Sequence, residues 1–367
     1  MPSGIVAFLL TIFLVSIIFF IIMRVNDSKD QETINNNINY DFIDVGKAFA
    51  FFCVVIMHIV CDNENYIFKI VQMGCMAYFF FASGFCFKES NYKCSSIQFL
   101  AKNLRAQLIP YFIGAFIGIF VCYKFPNFYT QDLSEMFQMI FIECRPIAFG
   151  LVWFLWCLFQ IRVVFFILWK LFGCISNNIV IILSIIILYI IFIFLSVYLV
   201  DNNIRLQYKI DVSIVAMTFY ILGFLVKHTL LYKYIEKPIF ALMILFLSKT
   251  LSIYLETYFI SYSNIVDFIF DNYYIYQIIQ ILSITSFMCI GMLLSKIKLL
   301  IYLGKNTFYP YLIHTYILWV IEELYGKYII GVVRYSFYDL REILFMVSIA
   351  FVSSYVFGYV LKKIINS

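Results

Sequence analysis

The chain has 367 residues, of which 64% are hydrophobic and only 13% are charged, and its mean hydropathy is +0.95. A soluble protein of this length needs far more charge to cover its surface, so the composition excludes a soluble globular class. The net charge of +5 would suggest nucleic-acid binding in a soluble protein. Here it is explained by Lys and Arg at helix ends on one side of a bilayer, and we expect no nucleic-acid partner.

The apolar residues occur in runs of about 20, the length of α-helix that crosses a hydrocarbon core of about 30 Å. These runs lack the alternating pattern of about ten residues that is typical of membrane β-barrels. The sequence therefore predicts an all-α fold, a polytopic transmembrane helical bundle of about eleven spans. The predicted spans cover about residues 3–23, 43–60, 67–87, 104–124, 148–171, 178–200, 210–227, 237–257, 273–295, 300–323 and 341–363.

The predicted organisation is an N-terminal transmembrane anchor at 1–24, a polar, Asn-rich linker at 25–40 and a ten-span membrane domain at 41–367. The first apolar run is too long for a signal peptide, and no basic residue precedes it. Most Lys and Arg between spans fall on one side of the bilayer, which the positive-inside rule makes cytoplasmic. The N-terminus is then outside and the C-terminus cytoplasmic, in what we expect to be a bacterial inner membrane. The outer segment 125–147 is interpreted as either an interfacial helix or a lid.

The ten cysteines are scattered, mostly through apolar segments, without a CxxC pair or a Cys/His ligand spacing. Such cysteines are more often small buried hydrophobes than metal ligands or disulfide partners. We therefore expect no zinc, haem or iron–sulfur centre and no other bound metal.

The second predicted span, IDVGKAFAFFCVVIMHIVCD, carries titratable residues inside an apolar helix, where they are costly and indicate function by default. Eleven residues separate Lys47 from His58, so both project from one helix face, with the imidazole about 16 Å deeper. Asp44 and Asp62 extend this face. The polar stripe suits a cofactor with phosphates at the cytoplasmic mouth and a reactive group below. The alternative interpretation of His58 is a structural histidine bonded to a neighbouring helix.

Two further histidines occur in the chain. His314 lies in the tenth predicted span on one face with Thr307 and Tyr311, at a depth similar to that of His58. The two imidazoles are therefore candidates for lining one cavity, although a purely structural His314 is the alternative. His228 lies at a cytoplasmic span end, where we expect an ordinary interfacial residue.

The second span resembles the first core helix of the membrane-bound acyltransferase 3 family, whose signature is Arg or Lys followed eleven positions later by His, here Lys47 and His58. Further motifs follow in the family's order. QMGCMAYFFFASGFCFK resembles its helix ending in Phe-Phe-x-x-Ser-Gly, and KNLRAQLIPYFIG resembles its Arg-x-x-Arg stretch followed by Ile-Pro-Tyr. GLVWFLWCLFQIRVV resembles its Trp-Phe-Leu helix, and LGKNTFYPYLIHTYIL its Gly-x-Asn-Ser/Thr and Tyr-Leu-x-His segment. The similarity covers about residues 40–363, with the fucose 4-O-acetylase-like subgroup as the nearest likeness.

The resemblance implies a membrane-embedded O-acyltransferase that moves acetyl from cytoplasmic acetyl-CoA to a sugar hydroxyl of a cell-surface or lipid-linked glycan. It implies His58 as the catalytic base, with His314 as a second catalytic candidate. Lys47, Lys102 and Arg105 would meet the phosphates of acetyl-CoA. Lysine stands where the family has arginine at the first two of these positions, which keeps the charge but loses the bidentate fork.

Acyl transfer to a hydroxyl needs a base with a pKa near neutrality and hydrogen-bond donors for the oxyanion. Asn306, Ser83 and Tyr311 are candidate substrate-binding or oxyanion residues, and the sequence does not select among them. His58 is either the base or a transient carrier of the acyl group. No permanently bound cofactor is expected. The expected partners are acetyl-CoA as acyl donor, the glycan acceptor and membrane lipids.

A different class of function fits the same span count. A transporter or flippase that exports a polysaccharide or a lipid-linked intermediate would also have ten or more spans and a few buried polar residues. It would not require the stripe from Lys47 to His58, nor the cytoplasmic pair Lys102 and Arg105. These residues favour the acyltransferase interpretation.

Overall fold

The computed structural model describes residues 40–60, 73–88, 95–124, 133–144, 152–172, 178–229, 231–261, 263–325 and 340–366. The predicted N-terminal anchor at 1–24, with its span at 3–23, lies outside these residues. So does the predicted linker at 25–40, except for its last residue, Tyr40.

The described chain is built almost entirely of helices. In chain order they are α1 (Asp41–Val60), α2 (Cys75–Phe85), α3 (Ser96–Asn103), α4 (Ile109–Lys124), α5 (Leu133–Gln138), α6 (Trp153–Phe172), α7 (Asn178–Asp201), α8 (Ile210–His228), α9 (Pro238–Phe259), α10 (Tyr273–Leu294), α11 (Lys298–Lys305), α12 (Phe308–Tyr325) and α13 (Leu340–Asn366). Two π-helical turns, Leu104–Leu108 and Met139–Glu143, follow α3 and α5, and two 3-10 turns, Gln207–Lys209 and Leu231–Ile235, flank α8. Strands β1 (Ser263–Asn264) and β2 (Ile269–Phe270) pair antiparallel between α9 and α10.

Eight helical stretches in the described residues are long and apolar enough to cross a membrane. They are Asp41–Val60, Ser96–Val121, Trp153–Phe172, Val180–Asp201, Gln207–His228, Pro238–Phe259, Tyr273–Leu294 and Arg341–Lys363. Two shorter apolar helices cover Cys75–Phe85 and Phe308–Ile321. The prediction of an all-α transmembrane bundle is confirmed.

The helix of the fourth predicted span begins eight residues earlier than the apolar run indicated, at Ser96. The side chain of Ser95 starts this helix by accepting a hydrogen bond from the backbone N–H of Gln98 (3.1 Å). The helix then passes through the π turn Leu104–Leu108 into α4, with Pro110 just beyond. Because proline has no backbone N–H, the regular bonding pattern is interrupted here, and a π turn absorbs the mismatch.

The prediction of one continuous span at 300–323 is wrong. Two helices, α11 and α12, meet there at a break formed by Asn306 and Thr307. The hydroxyl of Thr307 donates to the carbonyl of Gly304 (3.1 Å), which competes with continuation of the helix. Pro310 then falls in the first turn of α12, where its missing N–H has no intrahelical partner to lose. Local hydrogen bonding therefore ends one helix and starts the next.

Helix α1 occupies the centre of the bundle. It packs against α2, α10, α11, α12 and α13. Asp41 and Asp44 lie in its first turn, where negative charge is favourable to the helix dipole. Because α1 is enclosed by so many neighbours, a titratable residue on it faces protein rather than lipid.

Two glycines allow the backbones of α2 and α8 to touch. A Cβ atom added to Gly84 would meet the backbone carbonyl of Tyr220, and one added to Gly223 would meet the carbonyl of Phe81. Backbone atoms within helices cannot move aside as a flexible side chain can. The crossing therefore depends on the absence of side chains at both positions, as in other close contacts of membrane helices.

We expect Gly84→Ala and Gly223→Ala each to destabilise the bundle by about 1–3 kcal/mol, because the new methyl group overpacks a backbone contact. The check is the thermal unfolding temperature in neutral detergent. Ser213→Ala on α8 provides a control, since it removes a hydroxyl bonded to Gln160 (2.6 Å) without adding volume. A Gly84→Ala protein as stable as the unaltered chain would contradict the close-contact account.

The outer segment predicted at 125–147 is described over 133–144. Ile140 is buried, and its carbonyl accepts a hydrogen bond from the hydroxyl of Tyr111 on α4 (2.6 Å). Phe141, by contrast, is 46% exposed. The segment is therefore held to the bundle on one side while an aromatic side chain faces outward, as expected of an interfacial helix.

The β-hairpin is tied to the start of α8 by charged side chains. Asp211, which is fully buried, accepts a hydrogen bond from Arg205 Nε (2.9 Å). Arg205 also donates to the carbonyl of Asp267, and Lys209 Nζ donates to the carbonyl of Val266 (2.7 Å). These bonds fix the end of the bundle where α6, α8 and the hairpin meet.

Candidate active site

His58 of α1 and His314 of α12 lie together inside the bundle. The centroids of their rings are 5.5 Å apart, with the ring planes inclined by 56°. His314 has no exposed surface, and His58 is half-buried, two residues before Val60, the last residue of α1. Their similar predicted depths suggested this proximity; the catalytic roles of both remain predictions.

The hydrogen bonding of His314 defines its tautomer. Nδ1 lies 2.8 Å from the backbone carbonyl oxygen of Tyr311. A carbonyl oxygen only accepts, so Nδ1 must carry a proton and donate. Nε2 is buried and has no hydrogen-bond partner in the part of the chain that the structure describes. In the neutral ring, Nε2 therefore keeps a lone pair that can accept a proton or a hydrogen bond from a ligand.

Aromatic and thioether side chains surround the two imidazoles. Phe51 meets His314 edge to face, with centroids 5.4 Å apart. The ring of Tyr311 lies 5.6 Å from His314 and 5.6 Å from Phe79, and its hydroxyl donates to the sulfur of Met76 (3.7 Å). An apolar lining of this kind excludes water and strengthens electrostatic interactions with a reacting group.

The helical repeat explains how these residues meet. Phe51 and His58 are seven residues apart, about two turns, so they share one face of α1. Phe51 on this face also packs on α13 through Phe351 (5.5 Å) and Tyr355 (5.8 Å). The break before α12 gives His314 its own helix, which reaches α1 at an orientation independent of α11.

Lys47 lies on the face of α1 that carries His58, eleven residues earlier and about 16 Å away along the axis. Its ammonium forms an ion pair with Asp44 (2.6 Å), and its side chain is 24% exposed. Lys305 at the end of α11 pairs with Asp41 (2.9 Å), and this hydrogen bond raises the pKa of Lys305. An anion arriving at Lys47 would have to share the ammonium with Asp44.

Lys102 and Arg105 line a groove of about 480 Å³. Both cations are exposed, and the groove wall on the other side includes Phe308 and Tyr309 from the first turn of α12. Tyr309 precedes His314 by five residues, which is about 8 Å along the helix. A basic surface groove and the buried histidine are therefore connected by less than two turns of one helix.

The side-chain amide of Asn306 is hydrogen-bonded to residues of α11 and α13. Its Nδ2 donates to the carbonyl of Tyr302 (2.9 Å), and its Oδ1 accepts from Lys362 Nζ (2.9 Å). The amide thus joins the end of α11 to α13. These contacts account for Asn306 at the helix break, and its oxyanion role remains a prediction.

Ser83 and Tyr311 differ in their distance from the histidine pair. Ser83 is seven residues beyond Met76 on α2, about 10 Å along the axis from the residue that contacts Tyr311. Tyr311 is in ring contact with His314. Of the three candidate oxyanion residues, Tyr311 is thus the one that the fold brings to the imidazoles.

The remaining sequence candidates lie elsewhere. His228 is at the end of α8, where its ring lies 4.2 Å from that of Phe224, far along the chain from the other histidines. Asp62, which was expected to extend the stripe of α1, lies outside the described residues.

The structure adds three ionisable residues within spans that the sequence analysis did not use. Arg162 is the tenth of twenty residues of α6, and its Nε is buried with no hydrogen-bond partner among the described residues. Lys249 and Glu256 lie on α9, and Lys249 is within electrostatic range of Cys53 on α1. A charge inside an apolar run was the signal that could have found all three.

The family of this chain is identified by comparing its sequence with models of protein families. A family model described as an acyltransferase domain, that of acyltransferase 3, matches residues 40–362. The chain belongs to the acyltransferase 3 family. The match contains α1, α12 and both histidines, so the protein is a membrane acyltransferase. A comparison with curated proteins finds no match.

The family membership confirms the acyltransferase interpretation that the ordered motifs suggested. It gives no support to the transporter or flippase alternative. Together with the eight long apolar helices of the described residues, it identifies an integral membrane protein. Across the described ranges, no group of three or more His, Cys, Asp or Glu could hold a metal ion.

Proposed function

We propose that this acyltransferase moves acetyl from cytoplasmic acetyl-CoA to a sugar hydroxyl of a lipid-linked or cell-surface glycan. The observation that carries the proposal is the pair of the half-buried His58 and the buried His314, with ring centroids 5.5 Å apart. An imidazole titrates near neutral pH and is the side chain best suited to remove a proton from a hydroxyl. Two imidazoles in an apolar interior have no comparable use in a purely structural helix contact.

In the proposed reaction, His58 takes the proton of the sugar hydroxyl. At the same time, the oxygen of this hydroxyl attacks the carbonyl carbon of the thioester. A tetrahedral oxyanion forms, the C–S bond breaks, and the thiolate of CoA takes the proton from the imidazolium. The products are the acetylated sugar and free CoA. The Nε2 lone pair of His314 would accept a hydrogen bond within the same site and orient the reacting groups.

Tyr311 is the donor that we assign to the oxyanion. Its hydroxyl is bonded to the sulfur of Met76 (3.7 Å), and a thioether is a weak acceptor. The Tyr311 ring also contacts that of His314, and a hydrogen bond from its hydroxyl to an oxyanion is strong in a water-excluded site.

The donor would enter from the groove of Lys102 and Arg105. Its phosphates would meet the two exposed cations, and its adenine ring could stack on Phe308 or Tyr309. The groove is connected through α12 to His314, so the pantetheine arm would follow this helix toward the imidazoles. Lys47, held by Asp44, would add positive charge at the cytoplasmic end of α1.

The charge distribution and the motifs support a particular orientation in the membrane and a particular class of acceptor. The excess of Lys and Arg on the side of Lys102 and Arg105 favours a cytoplasmic position for the groove. We infer a bacterial inner membrane, with the N-terminus outside and the C-terminus in the cytoplasm. The glycan would then approach the histidines from the outer face. The motif likeness to the fucose 4-O-acetylase-like subgroup supports a sugar hydroxyl as the acceptor.

The test uses membrane vesicles that contain the protein and are supplied with acetyl-CoA labelled in the acetyl group. Incorporation of label into a glycan or lipid-linked sugar, with release of an equal amount of CoA thiol, supports the proposal. Transfer of label to protein or to phospholipid alone would contradict it. Vesicles from cells without the chain provide the background.

Neutralising the groove is expected to weaken donor binding. The double replacement Lys102→Gln with Arg105→Gln should raise KM for acetyl-CoA about 3–30-fold with little change in kcat, because each exposed charge contributes up to about 1 kcal/mol. Acetyl-pantetheine, which has no adenosine phosphates, should show no such change. Lys298→Gln, an exposed cation of α11 outside the groove, is the matched control. An unchanged KM for acetyl-CoA would exclude the groove as the donor site.

A further inference from the structure

A second group of cations lies inside the bundle, apart from the groove. The thiol of Cys86, at the end of α2, is within electrostatic range of the ammonium groups of Lys47 and Lys227 and of the guanidinium of Arg162. The carboxylate of Asp44 lies in the same range and is paired with Lys47. Among the described residues that act on Cys86, three are cations and one is a carboxylate.

The position of Arg162 inside a membrane-spanning helix costs free energy. The residue occupies the middle of α6, one of the helices that can cross the membrane, and a cation there needs a compensating negative group. Its Nε is buried without a hydrogen-bond partner in the described part of the chain. A buried guanidinium nitrogen that makes no hydrogen bond loses free energy unless a ligand supplies the acceptor.

A second buried donor lies beside it. Tyr220 of α8 is fully buried, and its hydroxyl also has no hydrogen-bond partner among the described residues. Its ring lies 5.1 Å from that of Phe165, which is three residues beyond Arg162 on α6, and its backbone touches Gly84, two residues before Cys86. Two unused buried donors on neighbouring helices thus face one locality, and a single acceptor group could satisfy both.

Cys86 shows that this locality is accessible. The residue is exposed, although its neighbours Phe85 and Phe87 are buried. Lys227 is buried and donates to the carbonyl of Phe87 (3.0 Å), which fixes one cation at the end of α2. Cys86 therefore offers exposed surface next to Phe87, the residue whose carbonyl holds the ammonium of Lys227.

We propose that Arg162, Tyr220, Lys227 and Lys47 surround an internal chamber at Cys86 that binds a phosphate or pyrophosphate group. The neighbouring cations favour an anion, and Arg162 Nε and the Tyr220 hydroxyl, which are buried and unbonded among the described residues, supply donors for its oxygens. The group belongs either to the acyl donor, as the pyrophosphate of CoA when the groove of Lys102 and Arg105 holds only its 3′-phosphate, or to the headgroup of a phospholipid. The first source rests on the proposed function, whereas the chamber itself does not.

The experiment measures how fast Cys86 reacts with an anionic and a cationic methanethiosulfonate reagent of similar size. The purified full chain is used, and the modification of Cys86 is quantified by peptide mass spectrometry. A site with excess positive charge should favour the anionic reagent by about tenfold or more. Arg162→Gln should reduce this preference by at least about threefold, and Lys170→Gln, which removes a cation of the same helix bonded to Ser96 (3.1 Å), should leave it unchanged.

Protection identifies the ligand. Inorganic pyrophosphate should slow the anionic reagent in the unaltered chain and not in Arg162→Gln. If protection by CoA exceeds that by pantetheine, the source is the acyl donor; if it appears only in discs of phosphatidylglycerol and not of phosphatidylcholine, the source is a lipid headgroup. Either result supports the chamber.

Three outcomes would overturn it: equal rates for the two reagents, an Arg162→Gln protein with the original preference, or no protection by pyrophosphate. If Arg162→Gln does not fold, Arg162→Lys replaces it; this variant should keep the anionic preference and lose protection by pyrophosphate, because the forked donor is absent. Arg162-dependent protection by pyrophosphate in a protein that never consumes acetyl-CoA would reject the proposed function and leave the chamber standing.

Discussion

His58→Gln is expected to lower the rate of acetyl transfer by about 10²–10⁴-fold, the usual contribution of a general base. The amide of glutamine has a size and polarity near those of the imidazole but cannot take a proton. The effect should fall on kcat, with KM for acetyl-CoA nearly constant, because the groove that holds the phosphates is unaltered. The measurement is the release of CoA thiol by the purified protein in the presence of its acceptor.

His228→Gln is the matched control for this change. The same substitution is made at the end of α8, beside Phe224 and away from the histidine pair. It should retain the activity of the unaltered chain. If His58→Gln and His228→Gln are equally active, His58 is not the base. An inactive His58→Gln protein has lost either its catalytic base or its folded structure. The thermal unfolding temperature separates these two cases, because only loss of packing lowers it.

The second large effect is expected at His314. We expect His314→Gln to slow transfer by about 10²-fold or more, because the buried Nε2 lone pair and the bond from Nδ1 to the Tyr311 carbonyl are both altered. The double variant with His58→Gln should be little slower than the slower single variant. Residues that act as one catalytic unit give such non-additive losses.

The alternative for His314 makes a different prediction for the same cycle. A histidine that only packs against Phe51 would change the unfolding temperature, and its kinetic effect would add to that of His58→Gln. Additive losses in the double variant would therefore contradict a shared site. The cycle needs no knowledge of the natural sugar, since any acceptor that supports turnover can be used.

The sequence was sufficient for the architecture because the dominant signal is simple. Runs of about 20 apolar residues identify spans, and the described helices match the predicted core spans closely at α7, α8, α9 and α10. The family motifs also identified α1 and its Lys47–His58 spacing. These features depend on local composition and helical repeat, and both can be deduced from one chain.

Contacts between distant segments could not be deduced in this way. The meeting of His58 with His314 depends on the break at Asn306, where apolar composition continues and only local hydrogen bonds stop the helix. The bonds of Asn306 to Tyr302 and Lys362 likewise join segments that are distant along the chain or separated by the helix break. Hydropathy alone does not predict these hydrogen bonds or contacts.

The pairing and burial of the cations were the features least predictable from the sequence. A lysine such as Lys47 was interpreted from its position alone, whereas the fold pairs it with Asp44. Arg162 was not among the residues used in the sequence analysis, although its buried, unbonded Nε makes it the more informative residue. Whether a charge is paired, exposed or unsatisfied depends on the side chains that other helices bring to it.

The most direct test of the account is the acetyl content of surface glycans. Cells that lack the chain are complemented with the unaltered protein, with His58→Gln or with His228→Gln, and the purified glycans are compared by mass spectrometry. We expect the acetyl increment with the unaltered protein and with His228→Gln, and its loss with His58→Gln at equal protein abundance. Full acetylation with His58→Gln, or glycans that are identical with and without the chain, would contradict it.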